Sequence, residues 1–252
     1  MLNCIYPWDE RRDIAVPGDE KETLTFCVEH IITAYKDAVA KTGSFTVALS
    51  GGSTPKAIFS LLTTSPYVSR IDWTKVHLFW SDERSVSPDD SESNFHMAME
   101  AGFKSVGIPP SQIHRMKAET NIEEETKLYE ELLHHKLKNK GFDYLMLGMG
   151  EDGHTASLFP GTEALKVQDH LVAANRVPQK DTQRMTLTFP CINSSKHIVL
   201  YVLGEKKQKL LQEIYSHKKP CYPVEQVGTD LHKALWIADK EAAKLLHLNP
   251  TD

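Results

Sequence analysis

Residues 148–161 read GMGEDGHTASLFPG and set one histidine, His154, two positions after an aspartate, Asp152, behind three glycines. A neutral imidazole takes a proton near pH 7 and returns it later, as general acid–base catalysis requires. Asp152 is spaced to fix the imidazole tautomer or to stabilise its charged form. Gly150 and Gly153 predict backbone N–H groups directed at an oxyanion. The chain has twelve histidines, and the others singled out have plainer settings. His134 and His135 fall in a charged helical stretch, and His77 and His197 lie within or at the start of strand-like runs.

Two further loops and one β run carry residues suited to an anion. In LSGGSTPKAIFSLL, Gly51 and Gly52 let backbone approach a ligand, Ser53 or Thr54 is expected as helix N-cap, and Pro55 falls in the first helical turn. Free N–H groups at such a helix start attract phosphate. The same features also make a strand-to-helix turn that binds nothing. The loop is neither GxxxxGK[ST] nor GxGxxG, which disfavours ATP and NAD. In WSDERSVSPDDSESNF, Arg84 suits a phosphate clamp and Asp82 suits orienting a base or binding a sugar hydroxyl, against the alternative of a solvated turn. Ser93 or Asn94 is expected to cap the helix that follows. In VPQKDTQRMTLTFP, Arg184 is a second cation for the same anion, with Lys180 nearby, or else both are solvated surface charges. A GxSxG elbow and an HExxH metal pattern are both missing, so neither a serine hydrolase mechanism nor a metal centre is expected.

These loops need a scaffold, and the apolar runs supply one. FTVAL (45–49), VHLFW (76–80), YLMLG (144–148), HIVLYVL (197–203) and ALWIA (234–238) lack polar alternation and read as strands covered on both faces, as in a parallel sheet. Amphipathic stretches follow four of them: PKAIFSLL, SNFHMAMEAGF, EKKQKLLQEIY and DKEAAKLLHL. An earlier helix places Leu24, Cys27, Val28, Ile31, Ile32 and Tyr35 on one face, and another near 121–139 carries Leu128, Leu132 and Leu133. Strand–helix alternation predicts an α/β fold: a doubly wound, mostly parallel sheet with helices on both faces. HLVAANRV (170–177) and RMTLTF (184–189) alternate more and predict a small accessory β element at about 168–190 outside that sheet. The chain is expected to be one domain over 1–252. In open parallel sheets ligands bind beyond the carboxyl ends of the strands, where the strand order reverses. The three loops should converge there.

Composition sets outer bounds. The length of 252 residues is enough to bury a sizeable core, and the formal charge of −5 argues against a broad nucleic-acid surface. Cys4, Cys27, Cys191 and Cys221 are widely spaced and match neither a disulfide framework nor a zinc knuckle. The N-terminus turns charged too early for a signal peptide, and no apolar run nears the ~18 residues of a membrane span. A cytoplasmic protein without a membrane partner is the expectation.

Together LSGGSTP, DERSVSPDDSESNF, GMGEDGHTASLFPG and QRMTLTFP resemble, in order and spacing, the 6-phosphogluconolactonase family, as do the later GEKKQKLL and LWIADKEAA. The resemblance covers about residues 20–248. Ser87 stands where proline is often found in the family, and Glu151 occupies a variable position. The wider fold is shared with glucosamine-6-phosphate deaminases, which resemble this chain in SGGSTP and DGH. Those enzymes continue with an asparagine–glutamate pair before the proline, whereas this chain has Ser157, Leu158 and Phe159 there. The resemblance implies hydrolysis of a phosphorylated sugar lactone without cofactor or metal. It implies His154 as the base that activates water, and Arg84 and Arg184 with the Gly51–Gly52–Ser53 backbone as the phosphate site. Asp82 and Asp152 are implied as supports for the histidine or the sugar hydroxyls. A monomer or weak homo-oligomer is expected. A deaminase or isomerase, and a non-catalytic sugar-phosphate sensor, are the rival readings; the intact Asp152–Gly153–His154 block and the lack of any appended DNA-binding segment argue against the sensor.

Overall fold

The computed structural model describes residues 4–138, 140–216 and 220–248. Two N-terminal strands, β1 (Ile5–Pro7) and β2 (Arg12–Ala15), precede the long helix α1 (Glu20–Thr42). Then follow β3 (Phe45–Leu49), α2 (Ser53–Leu62), β4 (Val76–Trp80), β5 (Asp82–Arg84), α3 (Asn94–Glu100) and α4 (Ile122–Leu137). The second half holds β6 (Tyr144–Gly148), β7 (Val172–Val177), β8 (Thr182–Leu187), α5 (Phe189–Asn193), β9 (His197–Val202), α6 (Gln208–Ser216), β10 (Ala234–Ala238) and α7 (Lys240–Ala243).

Seven strands form one sheet in the order β1-β2-β10-β9-β6-β3-β4, parallel throughout except for the β1–β2 pair at its edge. The five apolar runs are its five central and distal strands, and β6 and β9 are buried almost end to end, as their unalternating sequences predict. The chain winds outward from β3 to β4 and then returns to place β6 on β3's other side, so the order reverses between β3 and β6. There the pairing is short. Five residue pairs join β3 to β4 and five join β6 to β9, but β3 and β6 meet only at Val47–Tyr144 and Ala48–Leu145. Beyond those pairs the carboxyl ends diverge and a crevice opens.

α1 begins at a capping box, Asp19 accepting from Glu22 N–H while the Glu22 carboxylate accepts from Asp19 N–H, each 2.9 Å. It ends at Gly43 in the left-handed region, φ 80°. Its buried face includes Phe26, Cys27, Val28, Ile31, Ile32 and Tyr35, and the core beneath contains Trp80, Trp236, Tyr144, Phe59 and Phe79. In α4 the buried residues are Ile122, Thr126, Tyr129, Leu133 and Leu137, while Leu128 is exposed; the apolar face is rotated from the one its leucines suggest.

Three departures from the sequence reading matter. Asp82–Arg84 is not a loop but a strand, β5, paired antiparallel to β8, which pairs antiparallel to β7; the expected accessory pair is thus a three-stranded sheet. The chain leaves β4 through Ser81, whose N–H donates to Leu49 O and whose carbonyl accepts from Leu187 N–H, both 2.8 Å, so one residue joins the two sheets. Second, α2 has Gly52 at its N-cap with φ 103° and no side-chain cap, in place of Ser53 or Thr54, because only glycine takes that backbone turn without strain. Third, DKEAAKLLHL gives only the short α7, capped by Asp239, whose carboxylate is also held by Gly204 N–H at 3.1 Å.

Candidate active site

A cleft of about 530 Å³ opens at the strand reversal. Ser50, Gly51 and Gly52 reach it from β3, Asp82 and Arg84 from β5, Arg184 from β8 and Asn94 from α3. Gly148–Gly150, His154 and Ala156 reach it from the exit of β6. The three loops converge as expected. Ser53 and Asp152 do not form its wall: Ser53 is exposed at the start of α2, and Asp152 stands behind the histidine.

His154 is fixed from two sides. Its ring stacks on buried Phe159, centroids 3.9 Å apart and planes 17° from parallel, and Nδ1 lies 2.5 Å from Asp152 Oδ1. Burial pulls the Asp152 carboxyl upward, but the hydrogen bond and charge of His154 outweigh it and hold the group below its ordinary value. An ionised carboxylate only accepts, so Nδ1 carries the hydrogen and Nε2 keeps the lone pair. Asp152 Oδ1 also accepts from His154 N–H at 3.2 Å, closing a turn around the pair.

The glycines of this loop do something other than expected. Gly150 N–H donates to His154 O at 2.8 Å and Gly153 N–H to Gly150 O at 3.2 Å, so neither is available to an oxyanion. They instead make room for side chains. A Cβ on Gly150 would lie 2.0 Å from His154 Nδ1, and one on Gly153, at φ 73°, would lie 2.5 Å from the Tyr222 ring. Val224 N–H donates to Gly153 O at 3.0 Å, so the 222–224 segment braces the loop from outside. Ala156, at φ 47°, is the one alanine in the left-handed region among the described residues, a backbone cost of about 1–2 kcal/mol carried at the cleft wall.

Opposite the histidine, Arg84 and Arg184 are direct partners across the β5–β8 ladder. Like charges in that relation repel. Neither guanidinium makes an ion pair among the described residues, and the Nε of each is buried without a partner; Arg84 is held only by its Nη1 on Glu92 O. Burial lowers the Arg184 pKa, Asp82 opposes this, and the Arg84 charge lowers it further. Two half-buried cations side by side make a seat for an anion. Next to them, Gly51 and Gly52 lie ahead of α2, whose first turn leaves N–H groups of Ser53 and Thr54 without intrahelical acceptors.

Buried residues hold this arrangement. Asp82 is 5% exposed; its Oδ2 accepts from Ser157 Oγ at 2.6 Å and its Oδ1 from Asn94 Nδ2 at 3.3 Å. It therefore links the arginine strand to the histidine loop without touching the imidazole. Glu83 points to the other side, where its carboxylate accepts from the N–H groups of Arg84, Asn94 and Phe95, each at 2.8 Å, and from Ser93 Oγ at 3.0 Å. Burial raises its pKa against these hydrogen bonds. Ser93 is the α3 N-cap, accepting from His96 N–H at 3.1 Å.

Two residues of the cleft wall, Asn94 and Ala156, escaped sequence reasoning. Asn94, read only as a possible cap, donates to Asp82 O at 2.9 Å, and its Oδ1 lies so near Gly51 that a Cβ there would meet it at 2.0 Å. Ala156 was passed over, as was Lys207, which does not line the cleft and whose pKa burial lowers against the opposing charges of Glu151 and Asp152. The signal for Lys207 was its place just after β9, at the same carboxyl edge. Lys180 is an exposed residue of the β7–β8 connection and does not line the cleft either.

Known proteins share this plan. The family described as glucosamine-6-phosphate isomerases/6-phosphogluconolactonase matches residues 18–236. A 6-phosphogluconolactonase of Chlamydia pneumoniae is 42% identical over 214 residues, covering 84% of this chain and 81% of its own. One from Chlamydia muridarum is 39% identical over 98% of this chain and 95% of its own. The solved structure of a 6-phosphogluconolactonase from Thermotoga maritima superposes with a TM-score of 0.77 at 30% identity, over 90% of this chain and 99% of that one. With a matching region that runs from the α1 cap through β10 and encloses every loop of the cleft, this chain belongs to the glucosamine-6-phosphate isomerase/6-phosphogluconolactonase family.

Proposed function

We propose that the chain hydrolyses 6-phospho-D-glucono-1,5-lactone to 6-phospho-D-gluconate, a reaction of the oxidative pentose phosphate route. The observation that carries this reading is the pairing of a carboxylate-oriented imidazole with two arginines that make no ion pair among the described residues, across one cleft. The names of the relatives support the same activity.

Arg84 and Arg184, with the backbone at Gly51–Ser53, hold the 6-phosphate. His154 Nε2 takes a proton from a water molecule as that water attacks the lactone carbonyl carbon, and Asp152 stabilises the imidazolium. The tetrahedral oxyanion collapses, the bond from C1 to the ring oxygen breaks, and the imidazolium returns its proton to that oxygen. Atoms balance as lactone plus water giving the hydroxy acid, which ionises. General-base assistance of about 10²–10⁴ is sufficient for a substrate already activated as an ester. Asp82, tied to Ser157 and Asn94 at the cleft wall, would receive a sugar hydroxyl. The segment after His154 contributes Ser157 to that tie and no carboxylate to the cleft wall, which favours the lactonase over the amino-sugar deaminase.

Residues 1–252 would act as one domain, in the cytoplasm, as a monomer or weak homo-oligomer that binds neither nucleic acid nor membrane. The charge of −5 supports this, and no helix among the described residues is long and apolar enough to cross a membrane. The test is acid release from freshly made lactone at constant pH by the wild type and by His154→Ala. Turnover by the wild type alone supports both activity and base. If neither exceeds the spontaneous rate, the reading fails and ammonia release from glucosamine 6-phosphate is measured next.

A further inference from the structure

At the other end of the same strands lies a second cleft, of about 650 Å³. Its walls come from the entry to β3 (Ser44, Thr46), the entry to β6 (Asp143), the entry to β9 (Lys196), and, at and past the C-terminal end of α4, Lys136, Lys138 and Lys140. Strands of five residues at about 3.3 Å each keep it some 15 Å from the first cleft, on the opposite edge of the sheet.

Four lysines face one aspartate here, a net of +3 on a chain whose total is −5. The aspartate is already committed. Asp143 Oδ1 accepts from Lys196 Nζ at 2.6 Å, and its Oδ2 accepts from Thr46 N–H and Oγ1, both at 2.9 Å. Lys136, Lys138 and Lys140 form no ion pair among the described residues. Basic residues in a last helical turn complement the helix dipole, which accounts for Lys136 alone. Lys138 is the C-cap in the left-handed region, φ 50° and ψ 41°, where glycine is the cheapest occupant. Lys140 and Lys196 lie outside the helix altogether.

We propose that this cleft is a second anion site, taking a small molecule with at least two adjoining phosphate groups. Three free ammonium groups ask for about three negative charges in a compact arrangement. Lysine binds phosphate as a point charge, whereas a planar carboxylate is better matched by arginine, and the cleft has no arginine. It also has no aromatic wall on which a base could stack. The Ser44 hydroxyl supplies a neutral hydrogen-bonding group at the rim.

The probe is inorganic pyrophosphate, titrated calorimetrically into the full chain carrying Arg84→Met and Arg184→Met, so that the first cleft cannot contribute. The expected result is one binding event per chain that weakens with added salt. Adding Lys136→Gln, Lys138→Gln and Lys140→Gln should weaken it at least tenfold. In the otherwise wild-type chain those three changes should leave circular dichroism and lactone turnover unaltered. A single Lys138→Gly relaxes the backbone while deleting one ammonium, so it should weaken pyrophosphate binding without lowering Tm. No binding in the double-arginine variant, or equal binding with and without the lysines, overturns the proposal. Because the readout is binding at the far edge, it stands or falls apart from the lactonase reading.

Discussion

Replacing Arg184 by methionine should move stability and substrate binding in opposite directions. In the ligand-free chain Arg184 faces Arg84 across the ladder, with its Nε buried and unpaired. Methionine keeps the buried stem and removes one of two repelling charges. A directly opposed like-charge pair costs about 0.2–1 kcal/mol. For a chain of this size 1 kcal/mol is about 2–4 °C in Tm, so the apo variant should melt up to a few degrees higher. Against the phosphorylated lactone the same change deletes a charge-assisted contact worth about 1.5–3 kcal/mol, or roughly 10- to 150-fold in KM. kcat should hold, since the imidazole lies on the other wall. Differential scanning calorimetry with and without 6-phosphogluconate measures the first effect, and the second is read from the KM ratio of phosphorylated to unphosphorylated lactone. At 100 times its Kd a ligand adds about 2.7 kcal/mol of stability, and at any fixed concentration the variant should gain much less than the wild type. A lower apo Tm together with an unchanged KM ratio would refute the argument, making Arg184 a structural residue.

Asp152→Asn should lower kcat about 10- to 1000-fold while leaving KM nearly unchanged. An amide N–H facing Nδ1 would move the ring hydrogen onto Nε2, and the loss should fall short of the ~10⁴ seen at a buried triad aspartate because this position is exposed; unchanged kcat would remove Asp152 from the mechanism. Gly153→Ala should cost both stability and turnover, since its φ is 73° and its Cβ meets Tyr222; a wild-type melting curve would show that the brace yields freely. Stability should also fall on acidification. Burial holds His30 and His114 down to about 4, with the neighbouring His197 adding to the effect at His30 and Lys136 and His77 at His114. Between pH 4 and 6.5 the unfolded chain then binds protons that the folded chain refuses, so the stability present above pH 6.5 drains away toward pH 4. From pH 7.5 to pH 5 this is about 2 kcal/mol for each histidine, and urea midpoints that do not change over that range would contradict it.

Much of this architecture was legible because burial on both faces leaves an unalternating apolar run, and β3, β4, β6 and β10 fall where those runs lie. The cleft was legible for a related reason: glycines and charges stand directly after those runs. What could not be read depends on partners distant in sequence. Asp82–Arg84 becomes a strand only because β8, a hundred residues later, lies beside it. Arg12–Ala15 joins the sheet through β10, more than two hundred residues away. Gly150 and Gly153 announced a tight loop but not what fills it, since the imidazole and the Tyr222 ring that need the space are placed by tertiary packing. Asn94 has the composition of a helix cap, and its use as a tie between Asp82 and the Gly51 turn shows only in three dimensions.

The two-pair contact between β3 and β6 divides the molecule's labour. Everything proposed to grip the phosphate hangs from the plate made by β3, β4 and the small sheet, and the proton-transfer pair hangs from the plate made by β6, β9 and β10. A substrate lying across the cleft is therefore a tie-rod between two plates stitched along a short seam. Reach, the distance from handle to reactive carbon, is set at that seam and not by the residues that touch either end. Changes at Val47, Ala48, Tyr144 or Leu145 could lengthen or shorten the accepted sugar acid while the grip and the base stay as they are.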